Sequence, residues 1–259
     1  MSEEILLVDR RDGVLTLTIN RPEQRNALRM DLLDALGQTL ADHANDDTVK
    51  CAVITATGDR CFAAGGDLKE LDAIRTTEQA EAMSKRGRRA LDQVRRFPLP
   101  VIAALNGLAL GGGAELAMAC DLRIAVTGAD IGFLQGQLNV TTAWGGGIDL
   151  VAAVGTRRAL ELLASARRVP ADEALSLGIY DHVCPPDRPL SDCLNDYLAP
   201  YLSRTRQVLQ GFKAITTGHR QAVHERLSGV EQRHFVTTWT DADHWEAVER
   251  AASQRSKRA

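Results

Sequence analysis

The sequence predicts an α/β protein that ends in a helical region. Short β-rich runs alternate with helical runs through the first half, and two of the strand–helix junctions there are rich in glycine. From Gly155 onward the chain reads almost wholly as helix. Its 259 residues suffice to bury a sizeable core. The pattern divides them into a core over 1–195 and a helical region over 196–259.

In chain order, Ile5–Val8 and Val14–Ile19 flank Asp12-Gly13, a hairpin signal, and Leu15, Leu17 and Ile19 alternate with more polar neighbours. Leu32, Leu33, Leu36 and Leu40 recur at helical spacing and predict a helix over 26–44. Cys51–Ile54 reads as a buried strand followed by a loop over 57–67. A long polar helix over 78–96 stops at Phe97-Pro98-Leu99-Pro100. Val101–Leu105 is the next buried strand, the Gly111-Gly112-Gly113 triplet opens a helix running into Cys120, and Leu122–Val126 is strand again. Thr156 reads as the N-cap of a helix to Ala166, and Pro170 sits early in another that ends near Gly178. Ile179–Val183 is a short edge strand, and helices follow from Leu190, Thr205, Gln221 and Asp241.

Composition excludes several function classes. A hydrophobic fraction of 44% with 25% charged residues is that of an ordinary globular protein. The net charge of −3 supplies no basic field for nucleic acid or an anionic membrane. The acidic start, Met1-Ser2-Glu3-Glu4, argues against a secretory signal, and no apolar run reaches membrane-spanning length, so the expected location is the cytoplasm. The five cysteines are odd in number and scattered, without C-x-x-C, and read as reduced thiols. The six histidines show no metal-ligand spacing, so no metal site is expected. The basic run Lys85, Arg86, Arg88 and Arg89 reads as a solvated helix face, with contact to phosphates as the alternative.

Two segments are chemically unusual. In Cys61-Phe62-Ala63-Ala64-Gly65-Gly66-Asp67-Leu68, small residues let backbone amides approach a ligand, and Asp67 can cap a following helix turn. In Asn106-Gly107-Leu108-Ala109-Leu110-Gly111-Gly112-Gly113-Ala114-Glu115, a strand passes through glycines into a helix. N–H groups at a helix start lack intrahelical partners and lie at the positive end of the dipole. Two such loops, brought together, supply two donors to one developing oxyanion. Neither segment is a phosphate-binding nucleotide loop, and no G-x-S-x-G elbow offers a serine nucleophile.

These segments resemble those of the crotonase superfamily, the enoyl-CoA hydratase/isomerase family. The resemblance runs through Asn20-Arg21-Pro22-Glu23 with Asn26-Ala27-Leu28, then Phe62 to Glu70, then Pro100 to Gly107, Gly111 to Glu115, Cys120-Asp121 and the closing Asp241 to Ala247. It implies a spiral of ββα units with a helical C-terminal region, assembled as a homotrimer or a dimer of trimers. It implies an acyl-coenzyme A thioester as substrate, with no cofactor beyond the coenzyme A that the substrate carries. Residue by residue, it places the enolate-binding N–H groups on Gly66 and Gly112. Ala63, Ala64, Asp67 and Lys69 become contacts for substrate and coenzyme A, with Trp144 a further contact.

Glu115 lies three residues after Gly112, on nearly the same helix face, and matches the first catalytic glutamate of the family's hydratases. In such a pocket its pKa is expected to rise. The second glutamate of typical hydratases aligns with Gln135, which keeps the shape and hydrogen bonding but accepts no proton as a carboxylate does. The leading expectation is a reaction of the hydratase or isomerase type. The alternative is decarboxylation of a malonyl-type thioester, which needs the oxyanion hole but no strong base. Val140 to Gly146 and the late Trp239 resemble the ethylmalonyl-CoA decarboxylase branch. A non-catalytic scaffold is the reading from another class. Against it stand Gly66, Gly112 and Glu115, all in place.

Overall fold

The computed structural model describes residues 4–256. The expectation drawn from Met1, Ser2 and Glu3 therefore lies outside the described residues. Asp12 and Gly13 take φ of 50° and 84°, the left-handed pair that a two-residue hairpin demands. Accordingly β1 (Leu6–Arg11) returns antiparallel as β2 (Val14–Ile19), with Arg11 opposite Val14. The first helix, α1 (Met30–His43), starts later than the leucine spacing suggests. Arg25 and Asn26 have φ of 53° and 54°, which no α-helix accepts. Asn26 serves the loops instead, its Nδ2 donating to the carbonyls of Cys61 at 2.7 Å and Thr57 at 3.0 Å.

Three turns of a spiral follow. The first is β3 (Cys51–Ala56), β4 (Cys61–Ala63), α2 (Leu68–Leu71) and α3 (Thr77–Arg96). The second is β5 (Val101–Leu105), β6 (Leu108–Leu110) and α4 (Gly112–Ala119). The third is β7 (Leu122–Val126), β8 (Ile131–Gly132), a 3₁₀ turn over Leu134–Leu138 and α5 (Gly146–Ser165). Each turn gives its first strand to a large sheet and its second to a small one. The large sheet runs β1-β2-β3-β5-β7 and ends on β9 (His182–Cys184), which follows α6 (Ala171–Ser176). The small sheet is β4-β6-β8. Apart from the β1–β2 hairpin, all pairings between these strands are parallel, as crossover connections require.

Strand alternation divides the core between the two faces of the large sheet. Ala52 and Ile54 join the main cluster, beneath α1, α3 and α4. Cys51 and Val53 point the other way, into a second cluster closed by Cys193 and Leu198 of α7 (Leu190–Leu202). Two expectations need correction in the helical part. Helix starts before Gly155, since α5 opens at Gly146 and only breaks at Gly155 (φ 77°, ψ 164°), beside the expected start at Thr156. The helices expected from Thr205 and Gln221 are one helix, α8 (Arg206–Trp239), followed by α9 (Ala242–Ser256). Position 195, the expected division, falls inside α7.

A buried ion cluster explains why α8 stays unbroken. Asp149 of α5 is 4% exposed, and its Oδ2 accepts from Arg95 of α3 through Nε at 3.1 Å and Nη2 at 2.9 Å. Its Oδ1 takes Arg220 Nε at 2.9 Å and His224 Nε2 at 2.7 Å, one turn apart on α8. Burial pushes the Asp149 carboxyl up, but Arg95 and Arg220 outweigh it and hold the group far below the usual carboxylate range.

Because the folded pKa of Asp149 is depressed, its stabilisation is present above the unfolded carboxylate value and lost as pH falls below it. Asp149→Asn should cost about 3–5 kcal/mol at neutral pH, since it takes the buried charge from between Arg95 and Arg220 and leaves Arg95 to the more exposed Asp92. The gap to the unsubstituted protein should narrow below about pH 4. Urea unfolding across that range measures both; a loss below about 1 kcal/mol at neutral pH would mean the cluster is solvated.

Candidate active site

The two glycine loops meet where β4 pairs with β6, Cys61 opposite Leu108 and Ala63 opposite Ala109. Leu28 N–H donates to the Gly65 carbonyl at 2.8 Å, and its own carbonyl accepts Asp67 N–H at 2.9 Å. In a parallel bridge of this kind the intervening residue, Gly66, turns its N–H to the opposite side. Gly112 is the first residue of α4, so its N–H lacks an intrahelical acceptor. A Cβ on Gly65 would stand 3.9 Å from Gly112 N, which shows how closely the two loops approach.

The other residues expected at this site are placed as follows. Asp67 caps α2 by accepting Lys69 N–H at 3.1 Å and pairs with Arg21 at 2.8 Å. Ala64 is half-buried in the loop, and Lys69 is exposed on α2. Ala63 is wholly inside: a Cβ on Gly113 would stand 2.1 Å from its carbonyl oxygen, so Ala63 packs β4 against α4. Trp144 is 4% exposed, and its indole lies along the glycines. A Cβ on Gly112 would be 2.4 Å from its Cζ3, one on Gly87 of α3 would be 2.3 Å from its Nε1, and one on Gly66 would be 3.8 Å from its Cη2. Glycine at 87 and 112 is therefore what makes room for the ring. Trp144 is thus a core residue and also the neighbour of the glycines.

Glu115, one turn into α4, is 2% exposed. Its Oε2 accepts the N–H groups of Trp144 at 2.8 Å and Gly146 at 3.0 Å, so the carboxylate sits at the start of α5. Its Oε1 accepts Gln135 Nε2 at 3.0 Å and Ala143 N–H at 3.4 Å. Gly146 must be glycine here, because a Cβ would lie 2.4 Å from Glu115 Cγ. Burial, then the nearby Glu231 charge, pushes the Glu115 carboxyl up to about 7 against the pull of those backbone donors. Near neutral pH such a group both gives and takes a proton. The Gln135 amide oxygen is buried and has no hydrogen-bond partner among the described residues. The 3₁₀ turn carrying Gln135 is held from α9, where His244 Nδ1 donates to the Leu138 carbonyl at 2.6 Å.

Sequence reasoning missed Glu231. It reaches in from α8, accepting Gly145 N–H at 2.9 Å and the Thr142 hydroxyl at 2.6 Å, and it pairs with Arg88. Two carboxylates thus share the backbone N–H groups of one loop, 143–146. Nothing in α8 marks Glu231, a glutamate on a mostly exposed polar helix. Arg88 differs from the expected solvated face: its side chain is 12% exposed, whereas Lys85 and Arg86 do pair at the surface, with Glu81 and Asp34.

A ββα spiral with two glycine loops converging beside a buried carboxyl defines a crotonase-type protein. Residues 9–256 match the sequence profile of the enoyl-CoA hydratase/isomerase family, and the chain belongs to that family. It is 38% identical over 188 residues to the putative enoyl-CoA hydratase/isomerase YngF of Bacillus subtilis, covering 72% of this chain and 71% of that one. It is 32% identical over 230 residues to an ethylmalonyl-CoA decarboxylase of Xenopus laevis, covering 88% and 76%. Among solved structures, an enoyl-CoA hydratase from Bacillus anthracis superposes with a TM-score of 0.79 at 30% identity, with 97% of each chain covered.

Replacing Glu231 by Gln removes the charge that helps hold Glu115 up and frees Arg88, and both changes favour ionised Glu115. The Glu115 titration, followed by carboxyl infrared absorption, should move down from about 7 towards the ordinary glutamate range. An unmoved midpoint would show that burial alone sets it.

Proposed function

We propose that this acyl-coenzyme A-processing enzyme holds a thioester enolate oxygen between the N–H groups of Gly66 and Gly112, and that the enolate arises by decarboxylation of a short malonyl-type thioester. The observation that carries this is the hydrogen bond from Gln135 Nε2 to Glu115 Oε1, 3.0 Å long. It leaves Glu115 as the one acid at that pair, and two-carboxylate activation of water then has no second member. In the proposed step the bond between the α-carbon and the carboxylate breaks and CO₂ leaves. The electron pair passes into the thioester, and negative charge grows on its oxygen, where two fixed donors stabilise it. The Glu115 carboxyl then protonates the α-carbon and is recharged from solvent. A second carboxylate at 135 would repel the substrate's own, whereas an amide does not. Trp144, filling the space beside both glycines, restricts the acyl group to a short one.

A second reading is the hydratase or isomerase reaction, with Glu115 alone moving the proton. The Glu115 pKa of about 7 favours it, because a base is also available at neutral pH. In either case we assign coenzyme A to the substrate, contacted by Ala64 and Lys69, and the protein to the cytoplasm. We also assign it a trimer or a dimer of trimers. The apolar stripe Val208, Phe212 and Ile215 on α8, 44%, 67% and 72% exposed, is the face this assembly would cover.

Product analysis with methyl- or ethylmalonyl-CoA, crotonyl-CoA and a 3-enoyl-CoA separates the readings. We expect CO₂ from the malonyl-type substrate, at a rate that falls as pH rises through about 7 because Glu115 must be protonated. Glu115→Gln should lower that rate by about 10²–10⁴-fold. Gln135→Glu should depress decarboxylation and raise hydration of crotonyl-CoA. Rapid hydration by the unsubstituted protein, without CO₂ release, would overturn the proposal. For the assembly, Phe212→Asp with Ile215→Asp should reduce the mass seen by light scattering towards that of one chain.

A further inference from the structure

The second core cluster, on the face of the large sheet opposite the main core, contains a group of side chains that the acyl-CoA chemistry does not use. His182 and Cys184 stand two residues apart on β9 and so share a face. Cys193, in the first turns of α7, packs over them. One nitrogen of His182 and the two thiol sulfurs all lie within 4.8 Å of one another. Both cysteines are buried, at 1% and 2% exposure, while His182 is half-buried. In the sequence no C-x-x-C or histidine spacing announces the group, because parallel pairing of β9 with β7 and the packing of α7 bring it together.

We propose that His182, Cys184 and Cys193 form a binding site for one divalent, thiolate-seeking cation of the zinc type. The donor set selects the ion: soft thiolates with an imidazole suit zinc, whereas magnesium and calcium call for oxygen ligands. Charge selects it again. Two thiolates and a neutral imidazole cancel a dication, so the filled site buries no net charge, but a monovalent ion would leave one negative charge in an apolar cluster. Size agrees as well. A tetrahedral zinc with Zn–S of about 2.3 Å holds two sulfurs roughly 3.8 Å apart. Ligand atoms already within 4.8 Å of one another reach that spacing by small side-chain rotations.

Without an ion the Cys184 and Cys193 sulfurs lie side by side in the apolar cluster. Cysteine ligates as the thiolate, so binding releases thiol protons to the solvent. The half-buried His182 marks the side of entry, and water from that side completes four ligands. The filled site would clip β9, a three-residue strand at the sheet edge, to the helix that covers it.

Cobalt is a suitable probe because its thiolate complexes absorb. Reduced, chelator-treated protein titrated with Co²⁺ should develop a thiolate-to-cobalt charge-transfer band and tetrahedral ligand-field bands. Zinc should displace both at one equivalent. The bands should vanish in Cys184→Ala and in Cys193→Ala. His182→Ala should weaken binding by at least the roughly 10–100-fold that loss of an outer-shell partner costs. Zinc should also raise the melting temperature of the unsubstituted protein and of Glu115→Gln alike, which separates this site from the thioester chemistry. Should an alanine variant fail to fold, the same site is read in the unsubstituted protein by peptide mapping, zinc shielding Cys184 and Cys193 from alkylation. No thiolate band on the folded protein, or a band that survives Cys184→Ala, would overturn the proposal. So would a Cys184–Cys193 pair that resists alkylation until reduced.

Discussion

The carboxylate of Glu115 accepts the N–H groups of Trp144 and Gly146 from its place one turn inside α4, and the rest of the site is arranged around that contact. It joins the start of one helix to the start of the next. Gly112, three residues before Glu115, therefore has a fixed position relative to the loop that precedes α5. Trp144, in that loop, is carried over Gly112 and Gly66 by the same constraint. The helix-start donors favour the ionised carboxylate, while burial and Glu231 favour the acid. Burial and Glu231 prevail over the donors, and the carboxyl comes to rest at about 7.

The C-terminal helices complete this balance. α8 supplies Glu231 to the loop over Glu115, and it supplies Arg220 and His224 to Asp149 four residues after Gly145. Arg95 bridges the two clusters, donating to Asp149 and to the Trp144 carbonyl at 2.8 Å. Buried ion pairs stabilise little against apolar substitutes, but losing one partner is costly. The cluster thus acts chiefly to make one seating of α8 far better than any other. Leu209, Phe235 and Trp239 enter the main core from the same helix, so the helical region is part of the molecule's core.

The face of the large sheet opposite the main core is built differently. Its cluster is small, made of one layer of strand residues and α7, and three of its members are cysteines. Packing there depends less on large side chains than the leucine-rich main core does, and a clip between β9 and α7 has correspondingly more to stabilise.

Strand–helix alternation, the Asp12-Gly13 hairpin and the Gly65-Gly66 and Gly111-Gly112 loops were legible from residue order, because each depends on neighbours within a few positions. Glu115 and Gln135 were legible as a pair from their flanking segments. The leucine spacing misplaced the start of α1 because left-handed Arg25 and Asn26 answer to loops that only folding brings near. The long α8 was read as two helices because the residues that pin it, Arg220 and His224, meet Asp149 from far along the chain. Glu231, Arg88 and the His182–Cys184–Cys193 group had no local signal. By itself the sequence determined the strand–helix alternation and the glycine turns, since backbone conformation and apolar period are local properties, and the spiral came with the family its motifs resemble. Tertiary structure alone decided which charges surround Glu115 and which thiols meet a histidine, since those depend on helices and strands distant in sequence packing side by side.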